Sequence, residues 1–109
     1  MNRAYKLISG RRVRLPADAM EEMGIESQYR LWTDSDTAII APPTAEIKRA
    51  TDCGMRRLYD NGGKNGKPKM WIVLPQSVRQ TMGLHDGDHI VIWTERCNGV
   101  TVAKLRRKT

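Results

Sequence analysis

Apolar and polar positions alternate in short runs along this chain, and the runs come in two sets. Val13-Arg14-Leu15 and Ile72-Val73-Leu74 each end at a proline, Pro16 or Pro75. Each is followed by a Met-Gly-apolar triplet, Met23-Gly24-Ile25 and Met82-Gly83-Leu84. The offset is a constant 59, from Leu15 to Leu74 and from Gly24 to Gly83. Further on, Leu31-Trp32-Thr33 answers Ile92-Trp93-Thr94 at an offset of 61. The second copy has therefore gained an even number of residues, which leaves the faces of a strand unchanged.

The pattern predicts one unit used twice. A strand runs into Leu-Pro, where proline suits the first helical position because no N–H is needed there. A short helix follows over Pro16–Met23 and Pro75–Met82, closed by Gly24 and Gly83 in the left-handed conformation that favours glycine. Ala19 and Met23 answer Val78 and Met82, four apart and so on one helical face. A hairpin comes next, Tyr29–Thr33 with Thr37–Ala41 and His89–Thr94 with Val100–Leu105. Asp34-Ser35-Asp36 turns the first, and Asn98-Gly99 turns the second with two residues that tolerate positive φ. Extra N-terminal strands are expected around Tyr5–Ile8 and Arg57–Tyr59. The first repeat thus covers 3–43, the second 57–105, and 44–56 is a linker after Pro42-Pro43. Within it, Ala45–Ala50 reads equally as loose chain or as a short helix.

With 109 residues, 39% hydrophobic and 28% charged, the chain has the balance of a soluble folded domain. A single repeat is too small to be stable alone, so one domain over 1–109 is expected. No run approaches the roughly 18 apolar residues that cross a bilayer. The N-terminus also lacks a secretory signal, so a cytoplasmic protein with no membrane association is expected. Cys53 and Cys97 then read as two reduced thiols.

Charge sharpens the picture. Residues 1–52 hold 8 Lys and Arg against 8 Asp and Glu, whereas 53–109 hold 11 against 4, so the net charge of +7 lies in the second half. Such an excess steers anionic partners, nucleic acid foremost. Chemistry of other kinds finds little support. His85-Asp86-Gly87-Asp88-His89 would scatter metal ligands between a turn and two strand faces, and neither cysteine stands at a recognisable spacing from a histidine. No glycine-rich loop precedes a helix in a phosphate-binding pattern. The expectation is a binding protein, not an enzyme, with no metal and no cofactor.

Val-Arg-Leu-Pro, a short helix, Met-Gly-Ile and a hairpin together resemble the DNA-binding unit of AbrB/MazE-type transition regulators and antitoxins, the SpoVT-AbrB domain. The second copy carries the more general signature in Leu74-Pro75, Met82-Gly83-Leu84 and Asp86-Gly87-Asp88. The resemblance covers nearly the whole chain outside the linker. It implies a mainly β fold in which two units interlace as a swapped-hairpin β-barrel, formed here as an intramolecular pseudo-dimer with one short helix per repeat. Val13, Leu15, Ile72 and Leu74 should be buried together in it. Linking the units raises their effective concentration. Monomer and homodimer both remain open.

The resemblance further implies a duplex DNA-binding transcriptional regulator whose contacts come from basic residues on the strand before the Leu-Pro step. In this sequence that places Arg14 at the DNA. Alternation agrees: if Val13 and Leu15 point inward, Arg12 and Arg14 point out. Lys6 and Arg11 enlarge the patch. The second copy departs here, with Val73 in place of the arginine and Trp71 beside it. Its preceding glycine-rich loop instead offers Lys64, Lys67 and Lys69 to phosphates.

Other readings stay in view. Trp71 and Val73 could form an apolar patch for a protein partner, as in an interaction module or viral inhibitor built on the same barrel. A strict antitoxin is disfavoured, because toxin binding in such proteins uses an extended C-terminal segment and only Arg106–Thr109 follow the last expected strand. Single-stranded nucleic acid would want several exposed aromatics; the three tryptophans and three tyrosines fall mostly in strands and read as core. Target sequence and regulated genes are not encoded in any of these features.

Overall fold

The computed structural model describes residues 4–7, 11–60 and 70–108. The elements run β1 (Ala4–Leu7), β2 (Arg12–Arg14), α1 (Ala17–Met23), β3 (Gln28–Asp34), β4 (Thr37–Ala41), β5 (Thr51–Arg57), β6 (Tyr59–Asp60), β7 (Met70–Val73), α2 (Gln76–Met82), β8 (His89–Cys97) and β9 (Val100–Arg107). The fold is mainly β. All the pairings are antiparallel, in a six-stranded sheet of order β1-β8-β9-β4-β3-β5 and a three-stranded sheet of order β2-β7-β6.

Local chemistry explains the shared elements. Gly24 and Gly83 end the two helices at φ 69° and 71°, and their N–H groups donate back to carbonyls of the last turn. Pro16 and Pro75 stand just before the helices with extended ψ of 140° and 155°, not within them as expected. Their carbonyls still accept the first helical hydrogen bonds, from Met20 and Arg79. The hairpins close through two-residue turns. Asn98 and Gly99 both have positive φ, 52° and 82°, which matches the right-handed twist of the flanking strands. In the first hairpin Asp34 pairs with Thr37, so only Ser35 and Asp36 turn, with Ser35 at φ 53°.

Strands from the two halves of the chain pair with each other. β2 lies on β7 and β4 on β9, each joining equivalent segments. β1 lies on β8 as β5 lies on β3, so these pairings are unchanged when the halves are exchanged, whereas β6 on β7 has no counterpart on β2 among the described residues. A closed barrel is not formed among the described residues: the large sheet ends at β1 and β5, and β2 and β7 pair away from it. Their ladder is short because Pro16 and Pro75 have no N–H to extend it. It is prolonged by one bond at each end, from Leu15 N–H to the Met70 carbonyl (2.9 Å) and from Leu74 N–H to the Arg11 carbonyl (2.8 Å).

One core serves both halves. Val13, Leu15, Ile72 and Leu74 are buried together with Ala19, Met23, Val78 and Met82 from the helices and Leu31, Ile40, Ile92 and Leu105 from the hairpins. A smaller cluster of Trp32, Ile39, Ala41, Ile47 and Val102 lies on the other face of the large sheet. Ile47 comes from the expected linker, which is neither loose nor helical throughout. It passes through turns and then forms β5, whose edge pairing with β3 includes a β-bulge between Arg30 and Trp32. The free edge of β3 supplies the partner for β5, while Ala45–Ala50 stay in turns and irregular chain. Among the described residues no helix is long and apolar enough to cross a membrane.

Two stability predictions follow from the shared core and its cap. Residues 1–52 expressed alone should be unfolded or form concentration-dependent dimers, checked by thermal melting with light scattering; a monomeric, cooperatively melting fragment would contradict this. Ile47→Ala should lower unfolding free energy by about 2–4 kcal/mol in urea titration, because Ile47 is 4% exposed beneath Trp32.

Candidate nucleic-acid interface

Period-two alternation sets the outer face of the small sheet. Val13 is fully buried, and its neighbours Arg12 and Arg14 are exposed. Across the ladder Arg12 pairs with Val73 and Arg14 with Trp71, and Trp71 pairs in turn with Tyr59. Paired residues share a face, so Arg14, Trp71 and Tyr59 form one cross-strand row. Arg12 and Val73 form the next. Arg11, exposed in the turn before β2, extends the basic edge. Trp71 and Val73 are half-buried, which fits a ridge between the arginines and Tyr59.

The other expected contacts are placed only in part. Lys6 lies in β1, where its backbone pairs with Ile90 in the large sheet and not with β2. Lys64, Lys67 and Lys69 lie outside the described residues. The structure adds four residues that sequence reasoning missed: Met55, Arg56, Arg57 and Tyr59. With Tyr29 and Val73 they line a groove of about 320 Å³ beside β7. The buried Leu58 between exposed Arg57 and Tyr59 was a legible hint of their outward direction. Their meeting with β7 depends on a long-range pairing that no local spacing reveals.

Most cations elsewhere among the described residues are engaged, with Lys48 and Arg49 of the connecting segment the exceptions. Arg30 is ion-paired with Asp52 (2.9 Å), Lys104 with Glu95 (3.0 Å) and Arg107 with Asp88 (3.6 Å). Arg106 sits over the Trp93 ring, 5.6 Å from its centroid, and Arg79 and Arg96 donate to the Leu74 and Gly99 carbonyls. Among the described residues no carboxylate pairs with Arg11, Arg12, Arg14, Arg56 or Arg57. The Arg56 Nε and Trp71 Nε1 groups are buried and find no hydrogen-bond partner among the described residues. Unsatisfied donors and unpaired cations on one side of the molecule suit an anionic or polar occupant.

Tyr29 forms part of the groove wall. Burial pushes its phenol up to about 12, while the nearby Arg56 charge acts in the opposite direction. The hydroxyl is therefore neutral at any physiological pH.

The remaining candidate chemistry has structural explanations. The Asp88 carboxylate accepts the His85 backbone N–H (2.8 Å) and pairs with Arg107, which ties the turn to β9. No group of three His, Cys, Asp or Glu side chains able to hold a metal is found among the described residues. Cys53 and Cys97 are free thiols, each half-buried.

No protein-family model, curated protein or solved structure matches the chain. The placement of these side chains is thus what bears on function.

Tyr29 gives a direct check of this geometry. Its folded-state pKa exceeds the ordinary value of 10.0, so its contribution to stability is complete below that pH and is lost as pH rises towards about 12. Ultraviolet titration should show a tyrosine ionising only near the upper limit, in step with unfolding, and Tyr29→Phe should remove that step. Ionisation of all tyrosines together near the ordinary value would place Tyr29 in water instead.

Proposed function

We propose that this chain is a duplex DNA-binding transcriptional regulator of the AbrB/MazE type, with its two repeats interlaced as an intramolecular swapped-hairpin pseudo-dimer. The observation that carries the reading is the pair of exposed, carboxylate-free side chains Arg12 and Arg14 on a strand anchored by the buried Val13. Backbone held on both sides by the Leu15 and Leu74 hydrogen bonds fixes where those guanidiniums start, as base reading requires. The exchange-symmetric strand pairing supports the pseudo-dimer, since each half supplies strands to the other's hairpin. On this reading the protein acts in the cytoplasm, binds without metal or cofactor, and catalyses no reaction.

The two halves contribute unequally. Val73 and Trp71 stand where a second pair of basic residues would complete a symmetric footprint, so the first repeat supplies direction and the lysines of 61–69 supply charge. The same half-buried Trp71 and Val73 favour a second reading, a protein partner docking on the small sheet.

Anisotropy titration with duplex DNA at two salt concentrations separates these readings. Arg14→Ala should weaken duplex binding by ~1–3 kcal/mol and reduce sequence discrimination. Lys67→Ala should weaken binding about equally for all sequences and lower the salt slope by roughly one. If neither substitution changes duplex binding while Trp71→Ala abolishes binding of a protein partner, the regulator reading fails.

A further inference from the structure

Met55 and Tyr59, 48% and 55% exposed, are the exposed large hydrophobic side chains among the described residues. They are not scattered. Both border the groove of about 320 Å³ whose wall includes Tyr29 and Val73 and whose charged members are Arg56 and Arg57. Among the described residues no carboxylate lines it. Exposed apolar side chains gathered at one concavity mark an occupant, and the volume is at the small end of ligand sites, too small for a helix.

Charge and shape select the occupant. Among the described residues neither the exposed Arg57 nor the partly buried Arg56 has a carboxylate partner, so the occupant brings an anion or strong acceptor. Tyr59 brings an aromatic face, on which a nucleobase of any sequence stacks. A base inside a paired duplex has both faces covered by its neighbours and cannot reach that ring. We propose that the groove takes an unpaired nucleobase against Tyr59 and Met55, with its phosphate on Arg56 and Arg57. The protein thereby grips single-stranded or locally opened nucleic acid.

The inference rests on the nucleic-acid reading above and adds to it a preference for unpaired bases. Tyr59 pairs with Trp71 and Trp71 with Arg14, so the groove lies two strand spacings, about 10 Å, from the arginine edge. A strand held in the groove reaches Arg14 within a few nucleotides. Duplex contacts at Arg14 and base capture at Tyr59 are then adjacent parts of one surface.

The test uses the full chain and four labelled probes: a short oligo(dT), a fully paired duplex, that duplex with one bulged thymine, and an acidic peptide. Tyr59→Ala should weaken oligo(dT) and the bulged duplex about tenfold more than it weakens the paired duplex, since one base–aromatic contact is removed. Tyr59→Phe, which keeps the ring, should bind like the parent. Equal binding of paired and bulged duplex, unaffected by Tyr59→Ala, overturns the groove proposal and leaves the duplex reading standing. Binding of oligo(dT) that depends on Tyr59, without binding of the paired duplex, supports the groove and overturns the duplex reading. Tyr59-dependent binding of an acidic peptide with no binding of oligo(dT) assigns the groove to a protein partner and overturns the proposal.

Discussion

Val13 and Ile72 face each other across the β2–β7 ladder, both fully buried, at the centre of a core that neither half of the chain can close by itself. Each half presents one apolar strand face, one apolar helix stripe and one hairpin, and leaves all three without cover. A unit of that size buries too little surface to offset its conformational entropy. The two halves must therefore share strands. β1 completes the edge of the second hairpin, β5 completes the first, and β4 meets β9 between them. The outward direction of Arg12 and Arg14 is a by-product of that constraint, because period two turns the neighbours of a buried residue to the surface.

Symmetric strand pairing carries unlike surfaces. On the far face of the large sheet, Trp32 and Ile39 of the first hairpin are buried under Ile47, with the Trp32 Nε1 unpartnered. The matching pair in the second hairpin is Trp93 and Lys104, where Trp93 donates to Glu95 (2.7 Å) and Glu95 accepts from Lys104. The Trp93 and Lys104 bonds hold the Glu95 carboxyl below the usual range. One hairpin is thus capped by the connecting segment and the other is finished with charge, so each meets water acceptably. The small sheet shows the same divergence, with arginines on β2 and apolar residues on β7. Once strand exchange secures the core, the outer positions of the two copies are free to differ.

The cations divide along the same line. On the large sheet Arg30, Arg96, Lys104, Arg106 and Arg107 are engaged by carboxylates, a carbonyl or an aromatic face, where they contribute modestly as exposed pairs do, whereas Arg56 and Arg57 at the end of its β5 edge have no carboxylate partner among the described residues. Those around the small sheet have no carboxylate partner among the described residues. Self-repulsion among them costs stability and has no structural return in the chain itself. On the proposed reading an anionic partner neutralises them.

The sequence by itself determined the repeat, the ends of both helices, both hairpins and the inward set of Val13, Leu15, Ile72 and Leu74. These follow from rules that act over a few residues: proline lacks an N–H, glycine tolerates positive φ, and a strand alternates its faces. Arg14 was legible as a surface residue for the same reason. Tertiary structure alone decided which strands end the large sheet among the described residues, the conversion of 51–56 from linker to strand, and the packing of Ile47 against Trp32. It also decided that Lys6 lies in the other sheet from Arg14, and that Tyr59 stands exposed beside Met55 when strand aromatics had been expected in the core. Edge pairing and burial depend on which distant segment arrives at a strand, and no local pattern carries that information.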